Sequence, residues 1–267
     1  MPGKPPWLLK AEHGYGPDPT PPPGPGVNNI KINAIQICVD YGDFLAWTLP
    51  ENKHHFDNML ILTAPHDKLT QSICSHYHVK CIPTHIWWNN GDIFNKARGI
   101  NLGISQLVLT EQDWLLHLDA DLWLPPRTGH ILHSLNLDPT CIYGIDRMEC
   151  QSFRDWIDFK CNPSIQHELN IFVKPRAFPL GARLVLLNAD GYVPLGCFQL
   201  WNPIVSRISH YPESQTNAAR SDMLFALQWP RIKRQHLPEI VGIHLESEKS
   251  ETMGRNWNGR LSKQFRY

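Results

Sequence analysis

The chain carries no surplus of either charge: among 267 residues, 25 lysines and arginines face 25 aspartates and glutamates. A polybasic nucleic-acid binder is thereby excluded, because its affinity would come from a large positive excess. No apolar run approaches the roughly 20 residues needed to cross a bilayer, so no transmembrane segment is expected. The opening residues, MPGKPPWLLKAEHGYGP, hold neither a continuous apolar stretch nor a small-residue cleavage site. No signal peptide is read there, and a cytoplasmic location is expected. The seven cysteines include no CxxC pair, which sets aside a disulfide framework and a zinc-knuckle spacing alike. Buried thiols in a reducing compartment account for them. His54–His55 and His76/His78 have no matching carboxylate, so neither pair reads as a metal site. What is present is 42% hydrophobic and 19% charged, enough apolar material for one large domain with a core.

Three segments follow from the distribution of residues. Residues 1–28 are read as an extended arm: the first 26 hold nine prolines and five glycines, and proline removes a backbone donor and fixes φ. Residues 29–246 form the folded domain. Residues 247–267 are a basic tail carrying Lys249, Arg255, Arg260, Lys263 and Arg266 around Trp257, a candidate lid over a site or a solvated end.

Within the folded domain short apolar runs alternate with helical patterns. Ile32 to Val39, Met59 to Thr63, His78 to Ile82 and Trp114 to Leu118 read as strands. Helices are expected from Phe44 to about Phe56, interrupted near Pro50, from Asp67 as N-cap to about Tyr77, and from Asn95 to Leu107. Glycines 99 and 103 weaken the last of these. Strands that are apolar on both faces and separated by helices indicate an α/β fold with a mainly parallel sheet covered on both sides. Ligands of such sheets bind beyond the carboxyl ends of the strands. Asp40, Thr63 to Asp67, and Asp119 to Asp121 all fall there.

Asp119 and Asp121 are two carboxylates one residue apart at the end of an apolar strand, followed by Leu-Trp-Leu-Pro-Pro. Both can reach one hard cation or its bound water, and Mg²⁺ and Mn²⁺ prefer such oxygen ligands while keeping positions open for phosphate. Aspartate is also a common turn residue, so spacing alone leaves a plain turn open.

The segment Asp113-Trp-Leu-Leu-His-Leu-Asp-Ala-Asp-Leu-Trp-Leu-Pro125 resembles the DxD strand of glycosyltransferases with the GT-A fold, of the family 2 kind. Phe94-Asn-Lys-Ala-Arg-Gly-Ile-Asn-Leu-Gly103 is similar to the segment that precedes it in those enzymes. Gly196-Cys-Phe-Gln-Leu-Trp201, Ser221-Asp222-Met-Leu-Phe-Ala-Leu-Gln-Trp229 and Ile243-His244-Leu245 extend the likeness over about residues 30 to 245. The resemblance implies a single GT-A (Rossmann-like) domain with a mixed, mainly parallel sheet. It further implies a metal-dependent transferase that moves a hexosyl or pentosyl unit from a nucleotide-sugar donor, expected to be UDP-linked, to an acceptor hydroxyl. It places a divalent ion on Asp121, with Asp119 on the ribose or the metal's water and His244 as a further ligand. Lys96, Arg98 and Asn101 are expected near the diphosphate, with Asp40 and Tyr41 at the nucleobase and Thr63 and Asp67 adding contacts to it. Asp222 matches the general-base position of inverting members. Those members often carry two adjacent acids where this chain has Ser221 beside Asp222, and a retaining enzyme needs no such base. As ordinary residues, Asp67 and Ser221-Asp222 also read as helix caps, Lys96 and Arg98 as a solvated face, and His244 as a core histidine.

Two other readings are weighed against this one. A DxD phosphohydrolase places its acids after the first strand with threonine two positions on, whereas Trp123 stands here and several strands come first. A non-catalytic nucleotide- or sugar-binding module would keep the same fold. The acceptor stays open among glycans, small molecules, proteins and modified DNA.

Overall fold

A computed structural model describes residues 30–150, 152–161, 183–184, 187–188, 191–245, 258–260 and 264–265. The arm 1–28 and most of the tail lie outside the described residues. The chain begins with β1 (Lys31–Ile37), α1 (Gly42–Asn52), β2 (Asn58–Thr63), α2 (Lys68–His76), β3 (Lys80–Pro83), α3 (Lys96–Ser105) and β4 (Asp113–Asp119). It continues through β5 (Leu122–Trp123), α4 (Thr128–Ser134), β6 (Ile142–Cys150), α5 (Phe153–Cys161), β7 (Arg183–Leu184), β8 (Leu187–Asn188) and β9 (Gly191–Tyr192). β10 (Phe198–Trp201), α6 (Pro203–Ser206), α7 (Ser221–Ala226) and β11 (Arg234–Leu245) complete it.

One mixed sheet organises the molecule, in the order β3-β2-β1-β4-β10-β6-β11-β5 with β7 on β6. β1, β2, β3 and β4 are mutually parallel; β10 runs antiparallel to both β4 and β6, and β6 and β11 are parallel. Six strands therefore share one direction, and the expected single α/β domain with a mainly parallel sheet between helices is what the chain forms. Alternation along β4 explains how one strand serves two layers. Trp114, Leu116 and Leu118 pack with Leu132, Phe198 and Leu200 on one face. On the other, Leu115 joins Trp87, Ala97 and Ile100 under α3, together with Trp201 and Phe225. A further core of Phe44, Trp123, Trp156, Phe159, Ile243 and Phe265 closes the β11 side.

Local departures from the expected boundaries have backbone causes. β3 starts at Lys80 rather than His78, because His78 adopts φ 56° to finish the turn after α2. α1 carries Pro50 within its last turn, runs on to Asn52, and only then tightens into a 3-10 turn at Lys53–His55. All seven cysteines are free thiols, most of them buried.

Candidate active site

β4 delivers Asp119 to the carboxyl edge of the sheet, and a two-residue crossing brings Asp121 beside β11. The crossing is tied down at its far end: the amide of Leu245 donates to the Asp121 carbonyl at 2.7 Å, and Leu122 sits in register with His244. This places Asp121 Oδ2 3.4 Å from His244 Nε2. The other Asp121 oxygen, Oδ1, is buried and accepts no hydrogen bond. On the opposite side Lys96, in the first turn of α3, holds Asp119 Oδ1 in a close ion pair. The N-cap of that helix is Asn95, whose side chain accepts from the Arg98 amide at 3.3 Å and donates to Asp92 at 2.9 Å. His117 lies one strand repeat before Asp119, with Nε2 3.7 Å from Asp119 Oδ1.

The charges of this cluster depend on one another. Burial raises the pKa of Asp119, and the charge of Asp121 adds to that, while Lys96 opposes it. Burial works the same way on Asp121, but His244 and Lys96 outweigh it and its pKa is lowered. Burial would strip the Lys96 proton, yet Asp119, with Asp222 and Asp121, more than restores it. Burial, with Lys96 adding to it, pushes His117 well below its ordinary pKa, so it is neutral.

Among the described residues no group of three or more His, Cys, Asp or Glu is already gathered around a metal-sized centre. The expected ligands are split: Asp119 turns to Lys96, and Asp121 to His244. The unpartnered Oδ1 of Asp121 and the imidazole beside it nevertheless make an oxygen-nitrogen donor set suited to a divalent cation.

Across β10 from the acids stands Asp222, the second residue of α7. Neither it nor Ser221 acts as the cap: Arg220 takes the N-cap position with φ 62°, and the Ser221 hydroxyl donates to the Ala218 carbonyl at 3.1 Å. Asp222 Oδ2 instead accepts from the Gly196 amide at 2.7 Å. Gly196 has to be glycine for this approach, since a Cβ there would lie 2.8 Å from the Cβ of Asp222. Gln199 braces the same region, donating to the carbonyls of Pro194 and Asp222 and accepting from Tyr211 Oη at 2.6 Å.

The remaining expected contacts separate into two groups. Asp67 caps α2 through its bond from the Thr70 amide at 3.0 Å, and its Oδ2 also accepts from the Asp40 amide and from the Thr63 and Thr70 hydroxyls. Asp67 and Thr63 are thus turned inward and lock the ends of β1 and β2 together. Asp40, at φ 60°, points its carboxylate outward to the exposed His66 at 3.2 Å. Arg98 and Asn101 face away from the acids. Arg98 pairs with Asp92 at 2.7 Å and Glu213 at 3.3 Å, and Asn101 bonds Glu213 and the Tyr211 carbonyl, fastening α3 to the 210–213 segment.

Tyr41 is covered by the C-terminal segment. The Arg260 guanidinium lies 5.1 Å above the Tyr41 ring and 5.0 Å from Phe44, donates to the Asp40 carbonyl at 2.7 Å, and forms a two-pronged ion pair with Asp43. The Phe265 amide also donates to Asp43, and its ring stacks on Phe44 at 4.8 Å. Asn258 accepts from Asn217 at 2.8 Å, so residues 258–260 run from the segment before α7 to the end of β1.

Sequence reasoning passes over three residues of this neighbourhood. His117 announced itself only as a polar residue in an apolar strand, on the same face as Asp119. Arg147 sits in the charged second half of β6, among Asp146, Arg147 and Glu149, where an apolar run breaks off. Asp43, the anchor of the tail, looked like an ordinary acidic residue of a helix first turn.

No protein-family model matches the sequence, and no curated protein is significantly similar to it. Solved structures do resemble it. Mannosyl-3-phosphoglycerate synthase from Rubrobacter xylanophilus aligns over 83% of this chain and 68% of its own, at 12% identity and a TM-score of 0.44. The inositol-1-phosphate CTP transferase from T. maritima aligns over 83% and 87%, at 12% identity and a TM-score of 0.36. Glucosyl-3-phosphoglycerate synthase from Mycobacterium tuberculosis, in complex with Mn²⁺, UDP-glucose and glycerol 3-phosphate, aligns over 58% and 56%, at 11% identity and a TM-score of 0.33. No described helix is long and apolar enough to cross a membrane.

Proposed function

We propose that this chain is a metal-dependent glycosyltransferase of GT-A type, taking a sugar from a UDP-linked donor to an acceptor hydroxyl. The observation that carries the reading is the buried pair Asp119 and Asp121, with Lys96 on one side, His244 on the other and one carboxylate oxygen left without a partner. An orphaned buried carboxylate oxygen is costly, and a bound cation is the simplest group that satisfies it. Asp121 and His244 would hold the ion, with Asp119 beside them. A cation there stabilises the negative charge that develops on a departing diphosphate.

The chain's own groups supply the rest. Lys96 presents a buried ammonium that stays protonated, fit to bond phosphate oxygens. Asp222 keeps Oδ1 for the proton of the attacking hydroxyl while its other oxygen is fixed by Gly196. Tyr41 offers a ring for the nucleobase, and Arg260 with the tail segment forms the cap that shuts water out. Titrating UDP with and without Mn²⁺, then following slow donor hydrolysis, tests the reading. Binding should require the ion, and Asp121→Ala should abolish both while the melting temperature shows an intact fold. Metal-independent UDP binding that survives Asp121→Ala would overturn it.

A further inference from the structure

Arg147 plays no part in the reaction described so far, yet it stands against the same acids. It lies on β6, beside Gly242 and two residues along the register from the pairing of Glu149 with His244. It shares its strand face with Ile145, which belongs to the core opposite α3. Lys96 therefore approaches Asp119 from one layer and Arg147 from the other. Arg147 forms no ion pair among the described residues, and its Nε is buried without a hydrogen-bond partner. Its one close polar neighbour is the Cys197 thiol, itself pushed up to about 11 by burial and so uncharged. Asp119, Asp121 and Glu149 keep the guanidinium charged against the cost of burial. Cys197 also feels Asp222 and Asp119, which sets Arg147 on the side of the site that carries the general base.

That position decides which anion it meets. The nucleotide contacts, Asp40, Tyr41 and Lys96, gather around β1 and α3, while β6 lies two strands beyond β4, about 10 Å along the sheet. A guanidinium with a dry, unused donor is built to grip an oxyanion in a forked contact.

We propose that Arg147 binds an anionic group, a phosphate or carboxylate, on the acceptor, so that the acceptor is a negatively charged molecule. This rests on the transferase reading above and deepens it. The experiment uses the full chain loaded with UDP and Mg²⁺ and titrates inorganic phosphate by calorimetry. Wild type should bind phosphate beside the nucleotide. Arg147→Ala should lose at least tenfold in phosphate affinity, Arg147→Lys should recover part of it, and UDP affinity should change less than twofold in both. Equal weakening of UDP and phosphate would assign the arginine to the donor and overturn the proposal. So would phosphate affinity untouched by Arg147→Ala, or no phosphate binding by UDP-loaded wild type. Failure of UDP itself to bind would strike the transferase reading first, and this inference with it. Melting temperatures of both variants separate a lost contact from a lost fold.

Discussion

Replacing Lys96 by methionine keeps the aliphatic stem and removes only the charge. The ammonium is bonded to Asp119, and the two side chains are 16% and 24% exposed. At contact distance and an effective dielectric near 20, the attraction amounts to about 5 kcal/mol before desolvation is subtracted. Removing one partner of a buried pair typically costs about 3–5 kcal/mol. The partial exposure of Asp119 favours the low end of that range, about 3 kcal/mol, since water can solvate the abandoned carboxylate. In a domain of this size such a loss lowers the melting temperature by roughly 6–12 °C. The charge arithmetic then predicts a second effect. With the ammonium gone, Asp119 and Asp121 repel without compensation, and a divalent ion meets no competitor at Asp119. Mn²⁺ at saturating excess, worth about 2.7 kcal/mol at a hundred times its Kd, should therefore raise the melting temperature of Lys96→Met by more than it raises that of wild type. Differential scanning fluorimetry across a Mn²⁺ series reads both numbers. A variant that melts with the wild type and gains no more from the ion would refute the reasoning at its root, because the acids would then be neither charged nor ion-binding.

Asp222→Asn retains an oxygen for the Gly196 amide and loses the base. Donor turnover should fall about 10²- to 10⁴-fold with UDP affinity within twofold, and undiminished turnover would remove Asp222 from the chemistry. Arg260→Ala deletes the cap over Tyr41. UDP affinity should drop about tenfold, the worth of one charge-assisted hydrogen bond, while uridine affinity holds; tighter UDP binding would instead mark Arg260 as an occupant of the base shelf. His55, whose Nδ1 accepts from Gly129 at 3.3 Å, has its pKa lowered to about 4 by burial. The unfolded chain takes up that proton near pH 6.5, so stability is fully present above that pH and is lost as pH falls toward 4, by about 2 kcal/mol between pH 7 and 5. Urea unfolding of His55→Asn at the two pH values should show a loss smaller by that amount, and an equal loss would place the acid sensitivity elsewhere.

The parts of the fold that were legible in the sequence are those fixed by local pattern. β1, β2 and β4 are apolar on both faces because both faces are buried, and Asp67 and Asn95 cap their helices by side-chain bonds to the third residue on. The weak point assigned to α3 was misleading for a reason no local rule contains. Gly99 is placed where a Cβ would fall 1.7 Å from the Trp87 ring, and Gly103 where it would meet Ile35 and Leu62. The helix gives up propensity of about 1 kcal/mol per glycine to let Trp87 and the sheet come close. That contact seats the first turn of α3, and Lys96 with it, over β4.

The same distinction separates the members of the site. Asp119 and Asp121 were readable because two acids after an apolar strand have few structural uses, whereas Arg98 and Asn101 shared a helical turn with Lys96 and turned out to fasten α3 to the 210–213 segment. Adjacency along a helix is a poor guide here, since residues two apart point in different directions. Arg147, Asp43 and Arg260 could not be found at all by spacing. Asp43 and Arg260 are 217 residues apart and meet only because the tail returns across the sheet edge, and Arg147 reaches the acids only because β6 continues past the point where β10 begins. Such a site is assembled by the register of strands distant in sequence, so its cations become visible only when the sheet order is known. The acids alone show that something positive binds; the placement of Lys96 and Arg147 on opposite layers is what divides the edge into a donor side and an acceptor side.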